Sequence, residues 1–230
     1  MQRVYKILRI VYWLLIIVFS ILIIYNSFPY YFFDSSLLKE YAIQGKYVFL
    51  LEKSDLLDSF LWRASFYVHI TGAMICIISG IPQFFRSILR KYKSVHNGLG
   101  KIYIASVLNI SCPAGFYLSF FTKGGALGVI PFMSIAILWF TTTFVAYKYI
   151  RAKNYYLHSL WMVRSFAITL SAVTFRIFQI LLYYGTEIAP IDNYIASLWL
   201  SLFANVVFGE IAVLYYKKYI FKRTSSFTLR

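Results

Sequence analysis

Charged side chains are scarce in this sequence, and acidic ones are the scarcest. Only 13% of the residues are charged and 60% are hydrophobic, whereas soluble domains carry about 25% charged residues. Eight acids stand against 23 lysines and arginines in a chain of 230 residues. With a mean hydropathy of +0.68, this composition excludes a water-soluble domain and indicates an integral membrane protein.

Cysteines and catalytic motifs are scarce as well. The only cysteines, Cys76 and Cys112, both lie in apolar stretches, which argues against a disulfide framework and against cysteine-type metal spacing. The chain has no H-E-x-x-H, no Walker loop, no G-x-S-x-G and no dinucleotide-binding glycine motif followed by an acid. Glu210 is the only acid inside a predicted span, so paired-carboxylate chemistry is not expected. The sequence predicts no metal site.

Long apolar stretches dominate the chain instead. Their lengths predict an all-α integral membrane protein, a six-transmembrane helix bundle. Three regions follow: residues 1–65 hold the first helix and an extracytoplasmic loop with a short interfacial helix, 66–216 a five-helix core with a polar centre, and 217–230 a basic cytoplasmic tail. The predicted spans are about Ile10–Phe28, Phe66–Phe85, Leu99–Phe121, Ala126–Tyr149, His158–Tyr183 and Tyr194–Tyr216.

Basic and acidic residues alternate between connections. Sixteen of the 23 basic residues fall in four acid-free clusters around residues 3–9, 86–101, 148–153 and 217–230, and seven of the eight acids lie in the other connections. The positive-inside rule then predicts that both termini are cytoplasmic, N-in and C-in. The expected partners are the lipid bilayer and, at the basic loops, anionic lipid headgroups. A nucleic acid is not an expected partner, because no soluble basic surface exists.

The fifth span carries charge where hydrocarbon tolerates little. By helical spacing His158, Ser165, Thr169 and Arg176 share one face, and about 27 Å separates its ends. An arginine in the membrane costs roughly 2.5–3.5 kcal/mol at the helix centre. We therefore expect this helix to present a polar stripe from one membrane surface to the other, facing protein, water or a bound anion.

The second span has a face of small and polar residues. This face predicts either a tight helix–helix seam or a ligand groove, and Pro82 predicts a kink near the inner end. Its members are His69, Gly72, Ala73, Cys76, Gly80 and Gln83.

Depth in the membrane sorts the polar residues into an inner and an outer layer. Arg164 and Glu210 both lie about 9 Å inside the cytoplasmic boundary, so we predict an intramembrane ion pair between them. His69 and Arg176 belong to the outer layer. We predict that they meet and line one cavity, with a loop carboxylate folded inward as the structural alternative.

The inner layer contains two histidines on different helices. Two histidines at one depth, here His96 and His158, are what an axially ligated b-type haem requires, and nearby arginines could pair with its propionates. Gln83, Arg164 and Glu210 lie at a similar depth. Interfacial or structural histidines, bare metal binding and proton transfer are the alternatives for this pair.

These residues carry a resemblance to a known family. The chain over about Val68–Ile180 resembles a bacterial multi-pass membrane family catalogued as domain of unknown function 2306. The resemblance implies a helical membrane domain in a bacterial cytoplasmic membrane and no particular activity. Where that family usually has arginine, this chain has Asn97, Ser159 and Lys101. The matching stretches are His69 with Gly72, Gly80-Ile-Pro-Gln83-Phe84, His96-Asn-Gly-Leu-Gly100-Lys101, Leu138-Trp139 with Thr141 to Thr143, and His158-Ser-Leu-Trp161-Met162-Val-Arg164-Ser165 through Arg176.

Three functional hypotheses follow. The leading one is a membrane redox or cofactor-binding protein with b-type haem held by His96 and His158, which implies a quinone or another redox partner. The second is a small permease with an anion or substrate site at His69, Arg176 and Arg164. The third is a non-catalytic subunit whose polar centre only fixes helix packing.

Overall fold

The computed structural model describes residue 14, residues 16–25, residue 56 and residues 58–221. In this part of the chain the regular structure is helical. The α-helices are α1 (Ile16–Tyr25), α2 (Phe60–Gly80), α3 (Arg86–Lys91), α4 (Lys93–Ser106), α5 (Cys112–Ser119), α6 (Ala126–Arg151), α7 (Tyr155–Thr169), α8 (Ser171–Gly185) and α9 (Pro190–Tyr215). A 3₁₀ turn covers Ile81–Phe84, and π-helical segments cover Val107–Ser111 and Tyr216–Phe221.

Five stretches are long and apolar enough to cross a membrane. They are Phe60–Phe84, Lys93–Ser119, Ala126–Arg151, Tyr155–Gly185 and Pro190–Lys218. Each corresponds to one of the last five predicted spans. The predicted first span is helical over Ile16–Tyr25, and its remainder lies outside the described residues. So do nearly all of the predicted outer loop with its interfacial helix and the tail beyond residue 221.

Local signals explain where the spans begin and end. Ser59 caps α2 by accepting a hydrogen bond from the backbone N–H of Trp62, as N-cap serines commonly do. The 3₁₀ turn with Pro82 ends that span, as the proline predicts. Gly124 and Gly125 connect α5 to α6 with φ angles of +83° and +57°, which glycine adopts without steric cost.

The predicted fifth span is not one continuous helix. Leu170 separates α7 from α8, and its ψ angle of −2° departs from the helical value of about −42°. The polar face predicted from His158 to Arg176 therefore ends at the break. Ser165 and Thr169 are buried, whereas Arg176 beyond the break is exposed.

The third span contains a π-helical turn, Val107–Ser111, between α4 and α5. The backbone N–H of Cys112 donates to the Val107 carbonyl, five residues earlier, and the next residue is Pro113, which has no N–H to donate. Short π turns of this kind are frequent at functional sites. Here the turn places Ser106 and Ser111 against α2.

The small residues of α2 form a tight seam. A Cβ atom added at Gly72 would meet the Ser111 side chain and lie 2.8 Å from Ile110 Cγ2. One added at Gly80 would lie 2.7 Å from the Phe166 ring and 3.1 Å from the Tyr103 ring. These glycines let α2 approach its neighbours closely, as small residues do in membrane helices. The sequence predicted either a helix–helix seam or a ligand groove for this face, and the middle of the face is therefore a seam.

Candidate functional site

Two histidines lie at the end of the bundle where α4 and α7 begin. His158 Nδ1 lies 2.9 Å from the Ala146 carbonyl oxygen. Since a carbonyl only accepts, Nδ1 carries the proton, and Nε2 is left with its lone pair. His96 is close enough to His158 to interact with it electrostatically. Its Nδ1 atom is buried without a hydrogen-bond partner.

Gln83 and Gly100 adjoin this end of α4. The Gln83 amide donates to the Ser79 carbonyl at 3.4 Å. Its Oε1 atom would lie 3.7 Å from a Cβ added at Gly100, and nothing lies within 4 Å of a Cβ added at Gly98. The glycines therefore leave space beside the histidine-bearing turn of α4. We call Gln83, His96 and His158 the His96 cluster.

Arg164 and Glu210 form the ion pair predicted from their depth. Arg164 Nε and Nη2 donate to the two Glu210 carboxylate oxygens at 2.6 and 2.8 Å, a bidentate geometry. Gly209 lets α9 approach α7, because a Cβ added there would lie 3.2 Å from Ala167 Cβ, which is tighter than ordinary contact. The guanidinium also stands 4.7 Å from the centre of the Trp161 ring. Glu210 thus occupies Nε and Nη2 of Arg164, and the predicted role of Arg164 in holding a haem propionate stays a prediction.

His69 lies at the other end of the bundle, beside a cavity of about 100 Å³. Its Nδ1 donates to the Ser111 carbonyl at 2.9 Å, at the last residue of the π turn. Gly115 makes room for the ring, because a Cβ there would lie 2.7 Å from both His69 Cε1 and Nδ1. The cavity is lined by His69 with Trp62, Phe66, Leu118, Phe121, Thr122, Phe132 and Tyr194.

Arg176 does not share this cavity with His69, so that prediction is wrong. Arg176 is not among the residues that line the cavity. Its side chain is exposed, donates to Gln179 Oε1 at 2.6 Å and stands 5.2 Å from the centre of the Phe175 ring. The physical reason is that the buried face ends at Leu170, since Ala172 and Arg176, the next members of the predicted face, are both exposed, whereas Ser165 and Thr169 are buried.

The centre of the bundle holds a hydroxyl network that the sequence analysis missed. Tyr103 is fully buried, and its hydroxyl lies 2.8 Å from Ser165 Oγ and 2.6 Å from Thr169 Oγ1. Trp139 Nε1 donates to it at 3.4 Å, and Ser165 Oγ lies 2.6 Å from Thr143 Oγ1. This network joins α4, α6 and α7. The sequence did contain one signal for this site, because helical spacing places Tyr103 on the same face of α4 as His96 and Gly100.

The protons of this network can be assigned without leaving a hydroxyl unpaired. Thr143 donates to the Trp139 carbonyl at 2.7 Å, so Ser165 donates to Thr143. Tyr103 then donates to Ser165 and accepts from Trp139 and from Thr169, whose hydroxyl has the Ser165 carbonyl at 3.1 Å as its alternative acceptor. Every hydroxyl has a donor role in this order, which is the condition for a stable buried polar network.

Asn205 forms interhelical bonds. Its amide donates to Thr174 Oγ1 on α8 at 2.6 Å. Asn109 instead donates to the Ala105 carbonyl of its own helix at 3.1 Å. Among the residues that the structure describes, no group of three or more His, Cys, Asp or Glu side chains is arranged to hold a metal ion. The His96 cluster contains two such side chains, the imidazoles of His96 and His158.

Comparison with known proteins agrees with this architecture. Residues 66–213 match the family model described as a predicted membrane protein, DUF2306. The chain belongs to this family. The DUF2306 match covers most of the last five spans and every candidate residue from His69 to Glu210, which confirms the resemblance found in the sequence. Neither the curated proteins nor the solved structures include a significant match to the chain.

Proposed function

We propose that this multi-pass membrane protein binds a cofactor, b-type haem, through His96 and His158. The observation that carries the proposal is the buried Nδ1 atom of His96, which has no hydrogen-bond partner beside a second imidazole. A buried polar atom without a partner typically costs about 1–3 kcal/mol. A ligand bound at the two rings would offset that cost.

The state of His158 supports the same proposal. Metal-bound histidines usually donate their other ring N–H to a carbonyl or a carboxylate, which fixes the tautomer and the ring orientation. The bond from His158 Nδ1 to the Ala146 carbonyl has this form. Bound haem would supply one-electron chemistry. The chain's own contribution would be ligation by the two imidazoles, orientation by Ala146 and space beside Gly98 and Gly100.

The permease hypothesis has less support. It requires cations that are available to an anionic substrate. The Arg164 fork is occupied by Glu210, and Arg176 is bonded to Gln179 and lies outside the His69 cavity. A redox role would in addition require a quinone or a protein that exchanges electrons with the haem.

An absorption spectrum tests the proposal. Protein produced with added haem and purified in detergent is expected to show a Soret band that both His96→Ala and His158→Ala abolish. His69→Ala is the matched control, since it removes an imidazole at the opposite end of the bundle and should leave the band unchanged. If the protein still binds no haem after reconstitution, the result would contradict the proposal and favour a structural role for the polar centre.

We also propose that the chain is oriented with both termini in the cytoplasm. The basic clusters near Lys91 and Lys153 support this orientation, as does the acid Glu187 on the opposite connection. Single cysteines introduced at Lys91 and Lys153 are expected to resist a membrane-impermeant thiol reagent added to intact cells, and one at Glu187 to react. The native Cys76 and Cys112 are buried and should give little background. The reverse labelling pattern would overturn the orientation.

A further inference from the structure

The His69 cavity has the features of a small-molecule site of its own. Trp62 and Phe66 stack with their ring centres 5.4 Å apart and an angle of 6° between the planes. Phe121, Phe132 and Tyr194 complete an aromatic lining, and His69 is the one imidazole among the lining residues. Such a lining suits a flat apolar ring, which aromatic side chains contact by stacking or edge-to-face packing.

The size of the cavity limits what it can hold. Its volume is about 100 Å³. An engineered apolar cavity of roughly 150 Å³ binds benzene. The His69 cavity is smaller than that, so it holds at most a single six-membered ring, with any further part of the ligand extending out of the opening.

The tautomer of His69 specifies the polar group of the ligand. Its Nδ1 faces the Ser111 carbonyl, which only accepts, so in the neutral ring Nδ1 carries the proton. Nε2 is then a hydrogen-bond acceptor. None of the described residues forms a hydrogen bond with Nε2. Nε2 is also not among the fully buried polar atoms that lack a partner, so it is accessible. A ligand with a hydroxyl donor on its ring would satisfy it.

We propose that the His69 cavity binds a single-ring hydroxyaromatic group, of the phenol or hydroquinone type, whose hydroxyl donates to His69 Nε2. The aromatic lining holds the ring and the imidazole selects the hydroxyl. Gly115 is a positioning residue, because any side chain there would displace the imidazole. This site is independent of the cofactor proposed at the His96 cluster, which lies at the opposite end of the bundle.

Two fluorinated probes of nearly equal shape test the proposal. ¹⁹F NMR titration of the purified full-length protein in detergent would compare 4-fluorophenol with 4-fluorotoluene, which carries a methyl group in place of the hydroxyl. We expect saturable binding of 4-fluorophenol that weakens at least tenfold in His69→Leu. Binding of 4-fluorotoluene should change less than threefold. Comparing wild type with His69→Leu for each probe separately cancels the partition of that probe into the micelle.

Gly115→Ala provides a second variant that keeps the imidazole. It is expected to weaken 4-fluorophenol binding by displacing the ring, and thermal unfolding would check that both variants remain folded. If wild-type protein shows no saturable 4-fluorophenol binding, or if His69→Leu weakens both probes equally, the proposal is wrong. Neither outcome depends on whether the protein binds haem.

Discussion

Replacing Glu210 by leucine is expected to destabilise the folded protein by about 1–3 kcal/mol, which is below the range for a fully buried pair because the Glu210 side chain is 52% exposed and that of Arg164 is 21% exposed. The substitution leaves Arg164 charged inside a membrane-spanning segment, and an arginine cannot shed its charge. Arg164→Leu is expected to cost less, because the remaining Glu210 carboxyl can become neutral by binding a proton. Unfolding by SDS titration in mixed micelles would measure both free energies.

The double variant Arg164→Leu/Glu210→Leu is the decisive control. Replacing an ion pair by apolar residues of similar volume is often neutral or stabilising, so the double variant should recover most of the loss seen in Glu210→Leu. Additive losses would show that the two side chains act independently. That result would contradict the bidentate contact between them.

Replacing Tyr103 by alanine is expected to cost about 3–5 kcal/mol, as for other large aromatic residues in a core. Tyr103 is fully buried, and its ring packs close to Gly80, where an added Cβ would lie 3.1 Å from it. Tyr103→Phe keeps the ring and removes only the hydroxyl. It should cost about 1–3 kcal/mol, because Trp139 Nε1 and Ser165 Oγ each lose a partner in a buried site.

Tyr147→Phe is the matched control for the hydroxyl deletion. Tyr147 lies on α6 and is exposed, so its change should stay within about 0.5 kcal/mol. SDS unfolding of the three tyrosine variants gives the comparison. Equal small effects of Tyr103→Phe and Tyr147→Phe would indicate that the central hydroxyl network contributes little to stability.

Hydropathy predicted the five described spans because each is apolar over more than 18 residues. The seam of α2 and the turn at Gly124 were also predictable, since small residues and glycine pairs have local steric consequences. Depth arithmetic predicted the Arg164–Glu210 pair because both residues lie at a similar distance from the same end of their spans. The first span and the outer loop remain predictions that extend beyond the described residues.

The break at Leu170 could not be predicted from local signals. Neither a proline nor a glycine lies there, and leucine favours helix. The interruption depends on tertiary contacts, in which Thr169 bonds to Tyr103 while Asn205 bonds to Thr174 on the other side of the break. Extrapolating one helical face past this point placed Arg176 beside His69, and the prediction failed for that reason.

Tyr103 was missed because composition hides it. It is one of 21 tyrosines, most of which are expected in lipid-facing or interfacial positions. Its contact with Ser165 and Thr169, more than 60 residues away along the chain, distinguishes it from the others far more clearly than its helical spacing from His96 and Gly100. Spacing along one helix reports a shared face but not the helix that this face contacts.

The π turn at Val107–Ser111 has a consequence for how this segment tolerates changes in length. A π turn contains one residue more than an α-helical turn over the same rise, so deleting one residue within it would heal the segment into a regular α-helix. Because that turn only absorbs an extra residue, the residues after the deletion would keep their orientation relative to α4, and Gly115 would still face His69. Deleting one residue from the regular α-helix on either side would instead rotate everything after it by about 100°. The π turn is therefore the place in this span where the loss of one codon disturbs the binding site least.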